Sequence, residues 1–362
     1  MQTLLRARGA LVTVMIAVFV GIGTFAIVRN DPWARGGSGL PGAFELNLDH
    51  RLNIDPELFG YEPLAQFSVP LEELRAIAVG PSGRIHVIGD RAVEVFTPDG
   101  TPALTIPVDG EPQCMGVAGA DHAVPGTVYV GVGRRIDLFA PDGKPAGSWS
   151  ALTGEDLEKD PVLTSIAVSA EQVFLADAAN SLVFRFDQDG KILGKIGEHD
   201  PERDSLVFSV PSAHFDVAMD HEQELLHVAN PGQRQVVSYS PEGKLQSFWG
   251  SDAGTIEGFF GCCNPSEFAL LPDGSFVTSE KGIPRVKVYN TEGEFECVVA
   301  GPEELGVRKS SIGDPRMTQG KSVFDVAVDG DGRVVVLDPR KNSVRIFVPR
   351  DEDAGSKDIE TK

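Results

Sequence analysis

Cysteine is scarce in this chain of 362 residues, which contains only four. No two of them have the Cys-x-x-Cys spacing of a zinc ribbon or a thioredoxin-like redox motif. The sequence also lacks a His-Glu-x-x-His pair, a Gly-x-Ser-x-Gly elbow, a P-loop and a dinucleotide fingerprint. These absences argue against the common metalloprotease, hydrolase and nucleotide-binding classes. They leave room for a site that scattered loops assemble.

Positive charge is also in short supply. The chain has 32 basic and 53 acidic residues, and residues 1–30 hold three of the basic ones and none of the acids. The remaining 332 residues are therefore strongly acidic. Such a surface repels nucleic acids and anionic lipid headgroups, so a nucleic-acid partner is not expected.

Only one long apolar run occurs, at residues 10–28, which carry no charge. At about 1.5 Å per residue, it is just long enough to cross a hydrocarbon core of about 30 Å. Arg6 and Arg8 precede it, which predicts a cytoplasmic segment 1–9 and an exported remainder, periplasmic or at the cell surface. A single-pass membrane anchor is favoured over a cleaved signal peptide, for which Thr24 and Ala26 offer a small-x-small site.

Three further segments follow from composition. Residues 29–63 are predicted to form a tether and an irregular lead-in. Residues 64–349 hold the regular patterns described below. Residues 350–362 form a charged tail that is predicted to be disordered.

A short sequence motif recurs along residues 64–349: an aromatic residue, two further residues, then Asp-Gly or Glu-Gly. Successive aromatic positions are 43 to 58 residues apart, counting a sixth copy that keeps the strand and loses the turn. Self-similarity at this period indicates a stack or ring of supersecondary units. The aromatic residues are Phe96, Phe139, Phe186, Tyr239, Tyr289 and Phe347.

Each repeat contains four short apolar or alternating runs separated by turn residues, which predicts four strands. Asp-Gly lies between the last two, where a hairpin turn needs a positive backbone angle. Six such units predict an all-β, six-bladed β-propeller. The last unit ends at its third strand, so residues 64–69 are predicted to close the ring by pairing with it.

The repeat resembles the NHL family of six-bladed propellers, a TolB-like architecture. The likeness rests on second strands such as residues 85–90 and 173–177, which end in Asp90 and Asp177, and on the Val-x-x-Phe-x-x-x-Gly pattern that follows. The family includes lyases, lactonases and binding modules, so the resemblance implies a fold and not one function. Its amidating lyases place histidines around a metal at the channel, whereas only His214 stands at such a position here.

Propeller geometry brings the loops that lead into the first strands onto one face. The long connections at residues 199–211 and 251–265 are predicted to open there. Cys262 and Cys263 lie in the second of these, beside Asn264. A vicinal disulfide that stiffens a binding loop, a disulfide to Cys114 or Cys297, and a copper or zinc site with Cys114 and His214 remain alternatives.

Two further groups are candidates on the same face. Asp216 and Asp325 occupy the same register of two near-identical inner strands. They are expected to bond to neighbouring backbone, or to hold water, an arginine or a cation such as Ca²⁺. Glu280, Lys281 and Arg285 belong to the blade of the Cys-Cys loop. They form either a ligand-recognition group or a surface ion pair.

The sequence therefore predicts a membrane-tethered, extracytoplasmic propeller that binds a protein or small-molecule ligand through the rim around Cys262 and Cys263. The alternative is an extracytoplasmic redox or metal-dependent enzyme, lyase-like, lactonase-like or thiol-based, that uses the same face.

Overall fold

The computed structural model describes residues 52–150, 152, 157–198, 206–251, 255–261, 263–308, 312 and 323–350. The predicted anchor at 10–28, most of the tether, Cys262 and the tail beyond residue 350 lie outside the described residues. Among the described residues, no helix has the length and apolar character needed to span a membrane. The membrane anchor therefore stays a prediction.

The described residues form 24 strands in six antiparallel, four-stranded sheets, which are the blades of the predicted propeller. In blades 1 to 3 the four strands follow chain order. Blade 1 consists of β2 (Leu74–Val79), β3 (Ile85–Gly89), β4 (Ala92–Phe96) and β5 (Pro102–Pro107), and blade 2 consists of β6 (Pro112–Val117), β7 (Val128–Val132), β8 (Arg135–Phe139) and β9 (Pro145–Ser150). Blade 3 consists of β10 (Leu163–Val168), β11 (Gln172–Asp177), β12 (Leu182–Asp187) and β13 (Ile192–Ile196).

Blades 4 and 5 follow the same order, and blade 6 has its fourth strand from the other end of the chain. These strands are β14 (Val217–Asp220), β15 (Leu225–Asn230), β16 (Gln235–Tyr239), β17 (Leu245–Trp249); β18 (Glu267–Leu270), β19 (Phe276–Glu280), β20 (Arg285–Tyr289), β21 (Phe295–Ala300); β22 (Asp325–Val328), β23 (Val334–Asp338), β24 (Ser343–Pro349) and β1 (Tyr61–Ser68).

Strand β1 is the outermost strand of blade 6. It pairs antiparallel with β24, from Tyr61 opposite Pro349 to Ser68 opposite Ser343. The strand was predicted at residues 64–69, and the observed strand begins three residues earlier and ends one residue earlier. The innermost strands β2, β6, β10, β14, β18 and β22 contact one another in succession, and β22 contacts β2. The six blades thus form a closed ring.

The core consists of six apolar clusters, one between each pair of neighbouring blades. Phe184 and Phe186 of blade 3, for example, pack with Tyr129 and Ile136 of blade 2. Strands β3 and β23 lie inside their blades, and every residue of both strands is buried. Burial between blades therefore holds the ring together.

The recurring Asp-Gly or Glu-Gly motif has two roles in the fold. Its glycines have φ between 81° and 86° in all five complete copies, a conformation that glycine adopts at low cost. Each glycine also lies against the outermost strand of the preceding blade, so that a Cβ would collide there. Gly190 meets Trp149 of blade 2, and Gly293 meets Trp249 of blade 4. The motif thus allows close packing between blades as well as forming the turn.

The acidic residues that end several second strands have a structural role. Asp177 accepts hydrogen bonds from the backbone N–H groups of Val162 and Ala179. Asp90 accepts them from Glu72 and Glu73. These carboxylates fix the loops that lead into the first strands, and so they shape the face on which those loops lie.

Candidate functional site

A cavity of about 280 Å³ lies at the mouth of the central channel, where the first strands begin. We call it the mouth cavity. All six blades contribute to its polar lining, which includes Arg75, Gln113, Thr164, His214, Glu267 and Asp325. It continues into the channel, a cavity of about 300 Å³ that Arg75, Thr164, Glu267 and Asp325 also line. Residues distant in sequence therefore converge on one polar site.

Three carboxylates line the channel, one from each of three consecutive blades. Glu267 and Asp325 are the first residues of β18 and β22, and Asp216 immediately precedes β14. The inner strands therefore present three acids at the same level of the ring. Like charges held close together in a buried site disfavour simultaneous ionisation.

Asp216 and Asp325 join neighbouring blades. Asp216 accepts the N–H of Val217 in its own blade at 2.9 Å and that of Phe268 in blade 5 at 2.7 Å. Asp325 accepts the N–H of Val326 at 2.7 Å and that of Ile77 in blade 1 at 2.8 Å. Of the roles considered for this pair, the structure shows hydrogen bonding to neighbouring backbone.

Burial shifts the pKa of both carboxyls upward. It raises the pKa of Asp216 to about 6. Burial, together with the charge of Asp216, raises the pKa of Asp325 to about 8. The folded protein therefore keeps protons on this ring that the unfolded chain has lost at neutral pH.

This difference in proton binding predicts that stability falls as pH rises from 6.5 to 7.5. Folded Asp325 holds its proton up to about pH 8, against an ordinary value of 3.8, so its contribution is complete below pH 3.8 and is lost as pH rises through 8. Asp325, which stays largely protonated in the folded protein over this window, lowers the free energy of unfolding by up to about 1.4 kcal/mol per pH unit. Urea unfolding at pH 6.5, 7.0 and 7.5 measures the slope, which Asp325→Asn is expected to reduce.

Three buried histidines oppose this trend. Burial lowers the pKa of His86, His214 and His227 to about 4, against an ordinary value of 6.5, so their opposite effect on stability is largest below the window and extends into it. Because the histidines are present in both proteins, the difference in slope between wild type and Asp325→Asn isolates the carboxyl group. Asp109, which is exposed at the surface, provides the matched control variant Asp109→Asn. An undiminished slope in Asp325→Asn would contradict the assignment.

Glu267 and His214 form the central contact of the mouth cavity. His214 Nδ1 lies 2.8 Å from Glu267 Oε1, and the two side chains are only 14% and 17% exposed. Burial, followed by the charges of Asp216 and Asp325, raises the pKa of Glu267 well above its ordinary value. Burial, followed by the charge of Lys281, lowers the pKa of His214 to about 4. A neutral imidazole and a carboxyl group that readily keeps its proton thus share a hydrogen bond.

His214 could be predicted from the sequence as a residue of this site, whereas Glu267 was not predicted. The missed signal is positional, because Glu267 begins its inner strand as Asp325 does. The surrounding residues hide this, since Ser266 precedes Glu267 where a phenylalanine precedes each aspartate. Alignment by strand position rather than by local identity would have found it.

The structure separates the cysteines that the sequence analysis grouped. Cys114 is fully buried in the apolar cluster between blades 2 and 3, where burial raises the pKa of its thiol. Cys297 lies on β21 and packs against Gly60, and burial raises its pKa to about 11. Among the described residues, neither forms a disulfide. A buried thiol that disfavours ionisation is a poor metal ligand, so the proposed role of Cys114 in a metal site is not supported.

Cys263 is buried, and Cys262 lies outside the described residues. The vicinal disulfide therefore stays a prediction. Across the part of the chain that the structure describes, no group of three His, Cys, Asp or Glu residues has a geometry suited to a metal ion. His214 is instead engaged with Glu267.

Asn264 is also buried, and it fixes the loop that contains it. Its Nδ2 donates to the carbonyl oxygens of Phe260 and, at 3.1 Å, of Lys281. Its Oδ1 accepts the N–H of Lys281 at 2.9 Å. The amide is thus used within the protein and shapes the rim rather than facing a ligand.

The expectation of an exposed ion pair at Glu280 and Arg285 does not hold, because both side chains are buried. Glu280 contacts Arg285 Nη2 and Lys287 Nζ, each at 2.5 Å, and the exposed fraction of all three side chains is 1% or less. Lys287, which the sequence analysis missed, also donates to the carbonyl oxygens of Ile256 and Gly258 at 2.8 and 2.9 Å. The three charges therefore fasten residues 255–261 to blade 5.

Lys281 connects this rim to the mouth cavity. Its Nζ donates to Ser212 Oγ at 2.7 Å, in the loop that leads to His214. Its charge opposes the raised pKa of Glu267 and helps to lower the pKa of His214. Lys281 thus belongs to the electrostatic surroundings of the His214–Glu267 pair.

A second, larger cavity of about 640 Å³ opens over blade 2, and we call it the blade-2 groove. Arg134 and Arg135, at the turn between β7 and β8, line it together with Trp149 of β9. Arg75 and Gln113 line both this groove and the mouth cavity. The two cavities are therefore neighbours that share a wall.

No protein-family model and no curated protein sequence matches this chain. Its structure is similar to that of a streptogramin B lyase, with 11% identity, a TM-score of 0.52 and coverage of 79% of this chain and 97% of the other. It is similar to the WD40 β-propeller domain of Doa1, with 12% identity, a TM-score of 0.51 and coverage of 81% and 98%. A protein of unknown function from Bacteroides caccae matches at 16% identity and a TM-score of 0.50, covering 65% of this chain and 84% of its own. At such identities the likeness shows the fold alone.

Proposed function

We propose that this protein is an exported, membrane-tethered NHL-like propeller that binds a small polar ligand at the mouth of its channel. The observation that carries the proposal is the His214–Glu267 pair, whose Nδ1 and Oε1 atoms lie 2.8 Å apart in a cavity of about 280 Å³ that all six blades line. A concave site with a few converging polar groups and perturbed pKa values is the usual form of a ligand site.

The mouth cavity is a better candidate than the rim around Cys262 and Cys263. Cys263 and Asn264 are buried, and Glu280 and Arg285 neutralise each other in the interior. These residues support one wall of the site, through Lys281 and its contact with Ser212. Cys262 and Cys263 keep a proposed role as a brace for that wall.

Sequence features support the finer parts of the proposal. The repeat pattern and the acidic ends of the second strands favour the NHL-like group among propellers. The apolar run at residues 10–28 and the arginines before it favour a membrane tether and export. An exported receptor for a soluble ligand is consistent with an acidic, soluble-type propeller surface.

The test is ligand capture by the full-length protein. Purified protein is equilibrated with a small-molecule extract of the source cells' growth medium, and mass spectrometry of the retained fraction identifies what binds. Glu267→Gln keeps the size of the side chain but removes its ability to ionise. It is expected to weaken binding of the retained compound at least tenfold, the effect of about 1.4 kcal/mol.

Asp142→Asn is the matched control, because Asp142 lies in the exposed turn of blade 2 between β8 and β9. Equal capture by wild type and Glu267→Gln would overturn the mouth cavity as the site. Loss of capture in Cys262→Ala and Cys263→Ala with Glu267→Gln unaffected would return the site to the rim.

An acid–base enzyme is the second candidate function, and the same pair favours it. His214 is neutral at physiological pH, and Glu267 holds its Nδ1, so the other ring nitrogen is left to take or give a proton. Among propellers, the streptogramin B lyase is an enzyme with this fold. Turnover of lactone substrates or of streptogramin B that His214→Ala abolishes would establish this function, whereas binding without turnover would exclude it for those substrates.

A further inference from the structure

The mouth cavity is lined mainly by acidic groups and the blade-2 groove mainly by basic groups. Glu267 and Asp325 line the mouth cavity, and Asp216 lies further down the channel. Three arginines, against one glutamate, line the groove. Arg75 and Gln113 belong to both. In a chain with 32 basic and 53 acidic residues, three arginines around one cavity are an uncommon concentration of positive charge.

The partners of two of these arginines leave them accessible to a ligand. Arg75 lies 3.7 Å from Glu111, whose side chain is 80% exposed, and Arg134 contacts Asp160, whose side chain is 94% exposed. Surface pairs of this kind contribute less than about 1 kcal/mol, so a ligand carboxylate can replace either partner. A guanidinium group also binds a carboxylate in bidentate geometry.

Arg135 has a different role, because its partner is mostly buried. Its Nε donates to Asp137 Oδ1 at 2.9 Å, and its Nη2 donates to the carbonyl oxygen of Asp109. These bonds tie the side chain into the wall of the groove. Arg75 and Arg134 are therefore the two arginines available to a bound anion.

The backbone around the groove is held in place before any ligand binds. Gln113 Oε1 accepts the N–H of Gly133 at 3.0 Å, which fixes the turn that carries Arg134. Trp149 packs on Tyr129 and Phe186, with ring centroids 5.7 and 6.3 Å apart. A preformed wall reduces the entropy that a ligand loses on binding.

The mouth cavity, in contrast, is suited to a cationic group of the ligand. Glu267 and Asp325 lie together in a buried site and disfavour simultaneous ionisation. A cationic group bound there would offset this repulsion and allow a carboxylate to ionise. The two adjacent cavities are thus suited to the two ends of one dipolar molecule.

We propose that the ligand is a zwitterion of the short-peptide class, with its ammonium group in the mouth cavity near Glu267 and its carboxylate in the blade-2 groove against Arg75 and Arg134. This inference rests on the proposed function, because it names the ligand of the same site. It extends that site from the channel mouth across blade 2.

The test uses alanine peptides of two to six residues, each in four forms: free, N-acetylated, C-amidated, and blocked at both ends. Binding to the full-length protein is followed by isothermal titration calorimetry and by the fluorescence of Trp149, with Trp149→Phe as the optical control. One peptide length is expected to bind best, and blocking either end is expected to weaken its binding roughly tenfold, the loss of one charge-assisted contact.

Two variants test which protein residue binds each end of the peptide. Arg134→Gln is expected to weaken the free peptide roughly tenfold and to leave the C-amidated peptide unchanged. Glu267→Gln is expected to weaken the free peptide and to leave the N-acetylated one unchanged. This crossed pattern pairs each protein charge with one ligand charge, which a general loss of folding cannot do.

Other outcomes overturn the inference. Equal binding of free and blocked peptides, or no binding of any peptide, would refute the zwitterion, while ligand capture that depends on Glu267 would still support the mouth cavity. Weakening by C-amidation alone would show an anionic ligand and refute the ammonium site. Loss of both Glu267-dependent capture and peptide binding would remove the proposed function together with this inference.

Discussion

Replacing Glu280 with glutamine is expected to lower the free energy of unfolding by about 3–5 kcal/mol, because the change leaves two buried cations without their counter-ion. Arg285 and Lys287 both contact Glu280, and the side chain of Lys287 is fully buried. Burial already lowers the pKa of Lys287 to about 8, against the opposing effect of Glu280. A loss of this size is a large part of the stability of an ordinary domain.

Urea unfolding of the single variant measures the loss directly, and a companion variant tests the cause. The triple substitution Glu280→Leu, Arg285→Met, Lys287→Met removes all three charges and keeps a similar volume. It is expected to be much less destabilised than Glu280→Gln, since apolar replacement of a whole buried ion network is often nearly neutral. A triple variant as unstable as the single one would show that packing, and not charge, dominates at this position.

The single substitution Glu280→Gln is also expected to loosen the loop at residues 255–261. Lys287 holds the carbonyl oxygens of Ile256 and Gly258, and its ammonium group lies 5.3 Å from the ring centre of Phe259. Loss of Glu280 favours the uncharged form of Lys287 and weakens these bonds. Faster hydrogen exchange in residues 255–261 would report this, ahead of any change in blades 1 to 3.

The fold was accessible from the sequence because its signals are local. Each of the first five blades repeats four short strands and an Asp-Gly or Glu-Gly turn, and the glycine conformation is nearly the same in all five copies. The all-β, six-bladed propeller is confirmed. The NHL-like assignment is finer than the fold, and it stays a proposal.

The site was less accessible because its contacts are distant in the chain. His214 and Glu267 are 53 residues apart, and no local motif marks Glu267. Glu280, Lys281 and Arg285 form a charged stretch of the kind that usually lies at a surface, yet Glu280 and Arg285 are buried. Sequence periodicity does not reveal that Lys287, seven residues beyond Glu280, is a second buried cation in contact with that carboxylate. The blade-2 groove likewise depends on Arg75 and Arg134, which come from different blades.

The second prediction with a large expected effect concerns β1, the strand that closes the ring. A protein of residues 70–350 lacks β1 and is expected to be at least about 5 kcal/mol less stable than one of residues 60–350. The truncation removes the apolar contacts of Tyr61, Phe67 and Val69, each worth about 1.5–3 kcal/mol when well buried. It also leaves β24 as an open edge, which promotes association between chains. Chemical unfolding and size-exclusion chromatography measure the two effects.

A circular permutant distinguishes strand pairing from the mere presence of these residues. Arg350 N–H donates to the carbonyl oxygen of Gly60 at 2.9 Å, so the end of β24 and the start of β1 are adjacent. A chain that begins at residue 70, runs to 350 and continues through a short glycine-rich linker into residues 60–69 would build blade 6 from four consecutive strands. It is expected to recover the stability of residues 60–350, because the closing contacts are the same and only the connection differs. A permutant no more stable than residues 70–350 would show that covalent order, and not the pairing of β1 with β24, closes the ring.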